Sequence, residues 1–521
     1  MSDIPATWIS AILGDIAHVE MGQSPDSRFY NERGEGLPFF QGKAEFGKLY
    51  PTVRKWCSEP KKIAEAGDIL LSVRAPVGPT NLAEARCCIG RGLASIRASA
   101  PIVQKYLLHF FRNIQPWLSE QGTGTTFAAV SGDFVRGLEV GLAPLTEQKR
   151  IADKLDAVLA RVDACRERLD RVPALLKRFR QSVLASGISG KLTVEWRASD
   201  DKRMDTEPPD WPERPLAELC ERERVITYGV IKLGAEVPTG VPCLRTSNVR
   251  WLRVDTEGMR RIALTLSSEY ARTILRGGEV LVNVRGTLGG VAVATPEMIG
   301  WNVSREVAVV PVDASQVDPS YLAFWIGSEV SQRWLSRVEK GVAYIGINIE
   351  DLRNLPVRLP PLEEQREIVT SVESLLAYAD RLEARYTAGR AYVDRLTSAL
   401  LTKAFRGELV PQDPNDEPAS LLLQRIRTAR AATPDKAKRG KGGRNSEKSK
   451  TAEVLMLDRK DIRDAHLTTI LKEPLNNCIG STAAGLSRFF RNKLRMREFK
   501  SDYISLPWLI SDISFAAIDF R

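Results

Sequence analysis

The chain is written twice. Leu145-Thr-Glu147-Gln148 returns 217 positions later as Leu362-Glu-Glu364-Gln365, Trp117-Leu-Ser119 as Trp334-Leu-Ser336, and Gly190-Lys-Leu192 as Gly407-Glu-Leu409. From Trp117 to Leu192 the copies align without a gap. Upstream the offset drifts: Gly67-Asp-Ile-Leu-Leu-Ser-Val-Arg74 answers to Gly278-Glu-Val-Leu-Val-Asn-Val-Arg285, and Pro38-Phe-Phe-Gln41 to Pro242-Cys-Leu-Arg245. A segment of fixed length has been copied together with a module whose loops vary. Self-similarity at a fixed offset marks a duplicated structural unit, and the pattern suggests two related readers carried on one measured frame.

At 521 residues, 43% hydrophobic and 27% charged, the chain is globular over most of its length and long enough for two to four domains. A net charge of +10 favours a polyanionic partner, and Pro434–Lys450 concentrates seven basic residues against two acids. Seven cysteines without regular spacing make no disulfide framework. Without a CxxC pair, and with only His18, His109 and His466, the chain is a poor zinc binder. The start lacks a basic, apolar leader pattern, and no run approaches the roughly 18 apolar residues of a membrane span. These features predict a soluble, cytoplasmic protein with no membrane contact.

Each copy opens with short β-rich runs punctuated by glycine and proline. In the first, strands are expected at Ile69–Val73, Cys88–Ile89 and Leu93–Ile96, followed by a helix over Pro101–Leu118. In the second, Val280–Val284 and Val307–Val310 read as strands and Pro319–Leu335 as the matching helix. The segments that follow differ in kind. Apolar residues alternate at steps of four and three through Ile151, Leu155, Val158, Val162, Cys165, Leu169, Val172, Leu176, Phe179 and Val183. The matching positions are Ile368, Val372, Leu375, Ala379, Leu382, Tyr386, Gly389, Val393, Leu396 and Leu400. This is the heptad seam of a coiled coil. Two seams of equal length predict helices of about 60 Å packed against each other, with a kink or break at Pro173 and at the corresponding Gly389.

The expected fold is therefore α+β. Two pseudo-repeated mixed α/β domains (1–144 and 213–360) are joined by helical spacers (145–197 and 361–410) packed as an antiparallel coiled coil. A linker (198–212), a spacer extension (411–432), a basic linker (433–452) and a C-terminal helical tail (453–521) complete the chain. Within the tail, Leu486–Phe499 has the pattern of a basic amphipathic helix.

Catalytic motifs are missing. The adenine methyltransferase motif (Asn/Asp)-Pro-Pro-(Tyr/Phe) has no match, since Pro208-Pro-Asp-Trp211 is in the wrong order. Gly36–Lys43 is one residue too long for a phosphate-binding loop and ends in Ala44. Pro25-Asp26 with Glu59-Pro-Lys61 is a loose version of a nuclease site, and the second copy lacks it. The residues point to a protein without chemistry or bound cofactor of its own.

The doubled Pro-Leu-x-Glu-Gln helix entries and (Ser/Arg)-Gly-(Lys/Glu)-Leu exits resemble the specificity subunit of type I restriction–modification enzymes. So do Trp8 through Gly22-Gln-Ser-Pro25, Pro38-Phe-Phe-Gln-Gly42 and Gly67–Arg74. The resemblance covers residues 5 to about 430. It implies two target-recognition domains, each reading one half of a bipartite sequence in double-stranded DNA. It also implies spacers that set the distance between halves and dock modification (methyltransferase) subunits. S-adenosylmethionine, ATP and Mg2+ would then sit on those partners and on a restriction (translocase/nuclease) subunit. A stand-alone bivalent DNA-binding scaffold is the alternative, and a single-chain nuclease or methyltransferase a third reading.

Candidate DNA-binding residues are Gln41 and Lys43, on a loop matching that of Arg245, Ser247 and Asn248; Arg74 and Arg285, at the ends of matching strands; and Arg91, after a glycine turn. Arginine suits guanine edges, and asparagine or glutamine suits adenine. Each could instead hold a phosphate or pair inside its own domain. The matched pair Arg74/Arg285 is expected to be structural, because readers of different targets should differ where they touch bases. Glu147-Gln148 and Glu364-Gln365 open their helices, where a carboxylate favours the positive dipole end; the resemblance adds partner docking.

Overall fold

A computed structural model describes residues 5–122, 129–199, 210–338 and 346–432; the expected tail helix and basic linker, and most of the 198–212 linker, lie outside them. The described residues fall into two compact units. One takes in those up to Leu169 and from Gly389 onward, the other Asp170–Ala388.

In the first unit, four strands form an antiparallel sheet in the order Ala17–Met21, Leu93–Ala98, Ile69–Ser72, Thr80–Leu82. All four residues of Ile69–Ser72 are buried, which is why the run lacks the apolar–polar alternation of a half-exposed strand. A second sheet places Leu37–Phe40 parallel to Cys87–Ile89. The helix Gln104–Glu120 buries Tyr106, Leu107, Phe110 and Phe111 in the core.

The second unit repeats this plan. Its four-stranded sheet runs Thr227–Tyr228, Val307–Val310, Val280–Asn283, Val291–Val293, and Val241–Leu244 lies parallel to Asn302–Val303. The helix expected over Pro319–Leu335 is two, Pro319–Gly327 and Glu329–Val338, split at Ser328. The Ser328 hydroxyl donates to Trp325 O and so caps the end of the first.

The long helices differ at the expected break. The first spacer divides into Leu145–Leu169 and Val172–Ile188, with Pro173 in the opening turn of the second piece. There a missing N–H leaves no hydrogen bond unmade. The second spacer runs unbroken from Leu362 to Phe405 through Gly389. Glycine keeps its N–H and costs a helix only about 1 kcal/mol relative to alanine, too little to stop one held by packing on both sides.

None of the seam residues is exposed. In the first unit, Ile151 and Leu155 share a core with Leu401 and Ala404, and Arg166 pairs with Asp394 at 3.3 Å. In the second, Val183, Leu184 and Ile188 share a core with Ile368 and Val372, and Arg180 reaches Asp380 at 2.7 Å and Glu383 at 2.6 Å. A side chain at Gly187 would lie 2.9 Å from Val372 Cγ2, so the two helices approach closely there. Both spacers end on a left-handed glycine, Gly190 (φ 72°) and Gly407 (φ 74°), the conformation that stops a helix.

The doubled Glu-Gln pairs are fully buried and lock each spacer entry to its own domain. Gln148 accepts from Val103 N and donates to Ala143 O; Gln365 accepts from Asp318 N and donates to Pro360 O. In both cases the amide ties the start of the spacer to the start of the domain's own helix. Glu147 accepts from Trp8 Nε1 at 2.9 Å and from Gln412, and Glu364 from Thr193 at 2.8 Å and from Arg197. The carboxylates therefore serve tertiary contacts beyond the dipole role expected of them, and at such burial they offer no surface to a partner. Burial raises the Glu147 carboxyl above its ordinary value, offset in part by its bond from Trp8.

Candidate nucleic-acid interface

Each unit builds one candidate site by the same sequence of backbone hydrogen bonds. Parallel neighbours run toward the same end, so the residues that follow them emerge side by side. In the first unit these are Gln41-Gly42-Lys43 and Gly90-Arg91-Gly92. Gly90 N donates to Phe40 O, Gln23 N to Ile89 O, Val73 N to Gly92 O, and Val130 N to Val73 O. In the second, Ser304 N donates to Leu244 O, Val230 N to Val303 O, Val284 N to Glu306 O, and Ile347 N to Val284 O. The four bonds correspond one to one. The drifting offset between copies is loop length inserted outside this frame.

The frame has glycine at one matched place, Gly22 and Gly229, where backbones meet. A side chain at Gly22 would lie 2.1 Å from Gly90 O, and one at Gly92 2.3 Å from Gln41 O. In the second unit a side chain at Gly229 would lie 1.8 Å from Val303 O.

Gln41, Lys43, Arg74 and Arg91 line one open concavity of about 960 Å³, with Ser24, Tyr30 and Glu45. All four are exposed, and none of their side chains hydrogen-bonds or pairs with another described residue. Glu45 accepts from Gly42 N and so shapes the loop that carries Gln41 and Lys43. Burial, with the neighbouring Cys57 and Cys88, raises the Tyr30 phenol above its usual value, so it stays a neutral hydroxyl donor; that donor is engaged by Pro25 O.

In the second unit, Arg245 is half-buried, while Ser247 and Arg285 are exposed. The Arg285 guanidinium lies 5.5 Å from the centre of the Tyr228 ring, a cation–π contact that steadies it. Asn248 differs from expectation. It is 1% exposed, accepting from Arg245 N and donating to Asp255 O and Glu257 O. Its amide is used up in shaping the turn that presents Arg245, so it is a positioning residue. Arg305, missed in the sequence, takes the place of Arg91: it follows the parallel strand, is exposed, and its backbone N–H donates to Val230 O.

Polar residues under the frame are matched as well. Ser72 donates to Arg74 O and Pro76 O, and Asn283 in its place donates to Val249 O and Thr287 O. Asp68 pairs with Arg97 at 2.7 Å and Glu279 with Arg224 at 2.9 Å. Burial alone would push the Asp68 carboxyl up, but hydrogen bonds from Arg97, Ser95 and Glu65 N hold it below the usual carboxylate range.

Among the described residues no cluster of acidic, histidine and cysteine side chains could hold a metal, and no helix is long and apolar enough to cross a membrane. Each unit thus offers cations without an acidic partner among the described residues, joined in the first unit by the Gln41 amide, and these can bind a polyanion and donate to base edges.

Residues 5–174 and 208–388 match the type I restriction modification DNA specificity domain family. The chain is 31% identical over 445 residues to the type I restriction enzyme EcoBI specificity subunit of Escherichia coli, covering 82% of this chain and 93% of that protein. It is 31% identical over 368 residues to the EcoKI specificity subunit of Escherichia coli strain K12, covering 67% and 76%. Its fold is similar to the HsdS subunit of Thermoanaerobacter tengcongensis, with a TM-score of 0.52, 21% identity, and coverage of 78% and 98%. A chain solved in work on assembly and conformational transition of the type I R-M system aligns with a TM-score of 0.54 and 21% identity, covering 78% and 100%.

Proposed function

This chain belongs to the type I restriction–modification specificity family, and we propose that it is the DNA-reading, non-catalytic subunit of such a complex. Domains 1–144 and 213–360 each recognise one half of a bipartite target. The observation that carries this reading is the doubled site: one hydrogen-bonded frame, built twice, presenting exposed arginines at two matching places, Arg74/Arg285 and Arg91/Arg305. Gln41, Lys43, Arg74, Arg91, Arg245, Ser247, Arg285 and Arg305 are the residues that meet DNA.

The spacers 145–197 and 361–410 pack as an antiparallel coiled coil, serving as ruler and as docking platform for modification subunits. Within the second unit, contacts run from Arg180 with Asp380, through Gly187 with Val372, to Thr193 with Glu364, which supports opposed helix directions. Within the first, Arg166 pairs with Asp394, and Ile151 and Leu155, earlier in the chain, share a core with the later Leu401 and Ala404, which supports the same sense. The partners supply S-adenosylmethionine and methyl transfer to adenine, and a restriction subunit supplies ATP- and Mg2+-dependent cleavage.

The test is methylation of random-sequence DNA by the full chain, alone and with the modification subunit encoded beside it. Modified adenines confined to a split sequence, and only with both proteins present, are expected. No modification with a demonstrably active partner would overturn the reading and favour a binding scaffold.

A further inference from the structure

We infer that Gln41 and Arg245 are the matched base-reading positions of the two sites, while the arginine pairs Arg74/Arg285 and Arg91/Arg305 grip the DNA backbone. This deepens the proposed function and rests on it.

Backbone positions that correspond bond for bond place their side chains at equivalent points against a bound duplex. At two such points both units carry arginine. The same residue at the same place cannot distinguish two half-targets, but it suits the component common to all duplexes, the phosphodiester. Residues that discriminate must differ between the units, and they must be held firmly enough for their hydrogen bonds to be directional.

Positions 41 and 245 meet both conditions. Each directly follows the strand in parallel register, after Phe40↔Ile89 in one unit and Leu244↔Val303 in the other. Each is clamped by the adjoining turn, since Gly90 N binds Phe40 O and Ser304 N binds Leu244 O. The following loop is pinned by a side chain in both, Glu45 to Gly42 N and Asn248 to Arg245 N. Neither side chain is hydrogen-bonded to another described residue, and both end in a planar group with paired hydrogen-bonding atoms. A glutamine amide matches the N6/N7 edge of adenine, and a guanidinium the O6/N7 edge of guanine. Lys43 and Ser247 also differ between the units, but a point charge and a short hydroxyl lack that two-point match.

The full chain would be co-expressed with its modification subunit and methylated sites mapped for Gln41→Arg, Gln41→Ala, Arg245→Gln, Arg91→Ala and Arg305→Ala. Gln41→Arg is expected to shift preference at one position of one half-site, on the order of 10- to 100-fold, with the other half unchanged. Arg245→Gln does the reverse in the other half, and Gln41→Ala relaxes its position without choosing a new base. Arg91→Ala and Arg305→Ala weaken all sequences alike and lower the salt dependence of binding by about one counterion. Wild-type methylation that follows no split sequence would defeat the proposed function itself. Wild-type specificity that Gln41→Arg, Gln41→Ala and Arg245→Gln all leave unmoved, or a base change caused by Arg91→Ala, would defeat this inference alone.

Discussion

Replacing Arg197 with methionine isolates the contact that locks the second spacer entry. Arg197 is 5% exposed and Glu364 1%. The guanidinium donates to Glu364, to the Thr193 hydroxyl at 2.8 Å, and to Gly190 O at 2.9 Å. Methionine fills much of the same volume but leaves the carboxylate buried with Thr193 as its remaining donor. Removing one partner of a buried pair costs about 3–5 kcal/mol, because the other charge stays desolvated. Arg197→Met should therefore raise local opening of the second unit by roughly two to three and a half decades. Amide hydrogen exchange over Val183–Ile188 and Ile368–Val372 reads this directly, without assuming two-state unfolding of a multi-unit chain. The double variant Arg197→Met/Glu364→Leu removes both charges and should recover most of the loss. Protection within tenfold of wild type in the single variant, or a double variant as labile as it, would refute the argument that the cost is an orphaned charge.

Gly22→Ala puts a methyl against Gly90 O and should destabilise the first unit by about 1–3 kcal/mol, seen as a lower denaturation midpoint; an unchanged midpoint would argue that the frame can relax. Asp68, whose carboxyl is held below its usual range, contributes stability that is present above the unfolded-state carboxylate value and lost as pH falls through the folded one. Arg97→Met should therefore lower the urea midpoint at pH 7, and its gap from wild type should shrink below about pH 4. A gap constant across that window would assign the loss to packing. Inserting one whole heptad in each spacer should lengthen the accepted gap between half-sites while both half-sequences persist, read by methylation mapping; altered bases with an unaltered gap would remove the ruler.

Much of the fold was legible because its signals are local. Short β-rich runs bounded by glycine and proline located Ile69–Ser72 and Val307–Val310, heptad patterns located the long helices to within a few residues, and the 217-residue offset paired the copies. Pro173 signals a break and stands at one, whereas Gly389 does not, because a glycine weakens a helix without obstructing it. The single helix expected at Pro319–Leu335 hid the Ser328 break, since serine inside an apolar run carries no strong stop signal.

The candidate site was half legible. A matching loop points to Gln41 and Lys43, a matching strand end to Arg74 and a glycine turn to Arg91, and the fold brings all four to one concavity. Arg305 escaped because its flanking residues are Ser304 and Glu306 where Arg91 has glycines, so the local pattern no longer matched. Asn248 suits an adenine edge by residue type, but type does not reveal direction, and its amide turns inward to hold Arg245.

By itself the sequence determined the duplication, the β-rich readers, the heptad spacers and the lack of catalytic motifs, all consequences of spacing along the chain. Only the tertiary structure decided that the Glu-Gln pairs are buried locks, with Glu147 meeting Trp8 and Gln412 and Glu364 meeting Arg197. It also decided that two sites with different loops close through the same four backbone bonds. Those contacts join residues far apart in the chain, and a backbone N–H or C=O is the same in every residue but proline, so the residue letters do not record which of them meet.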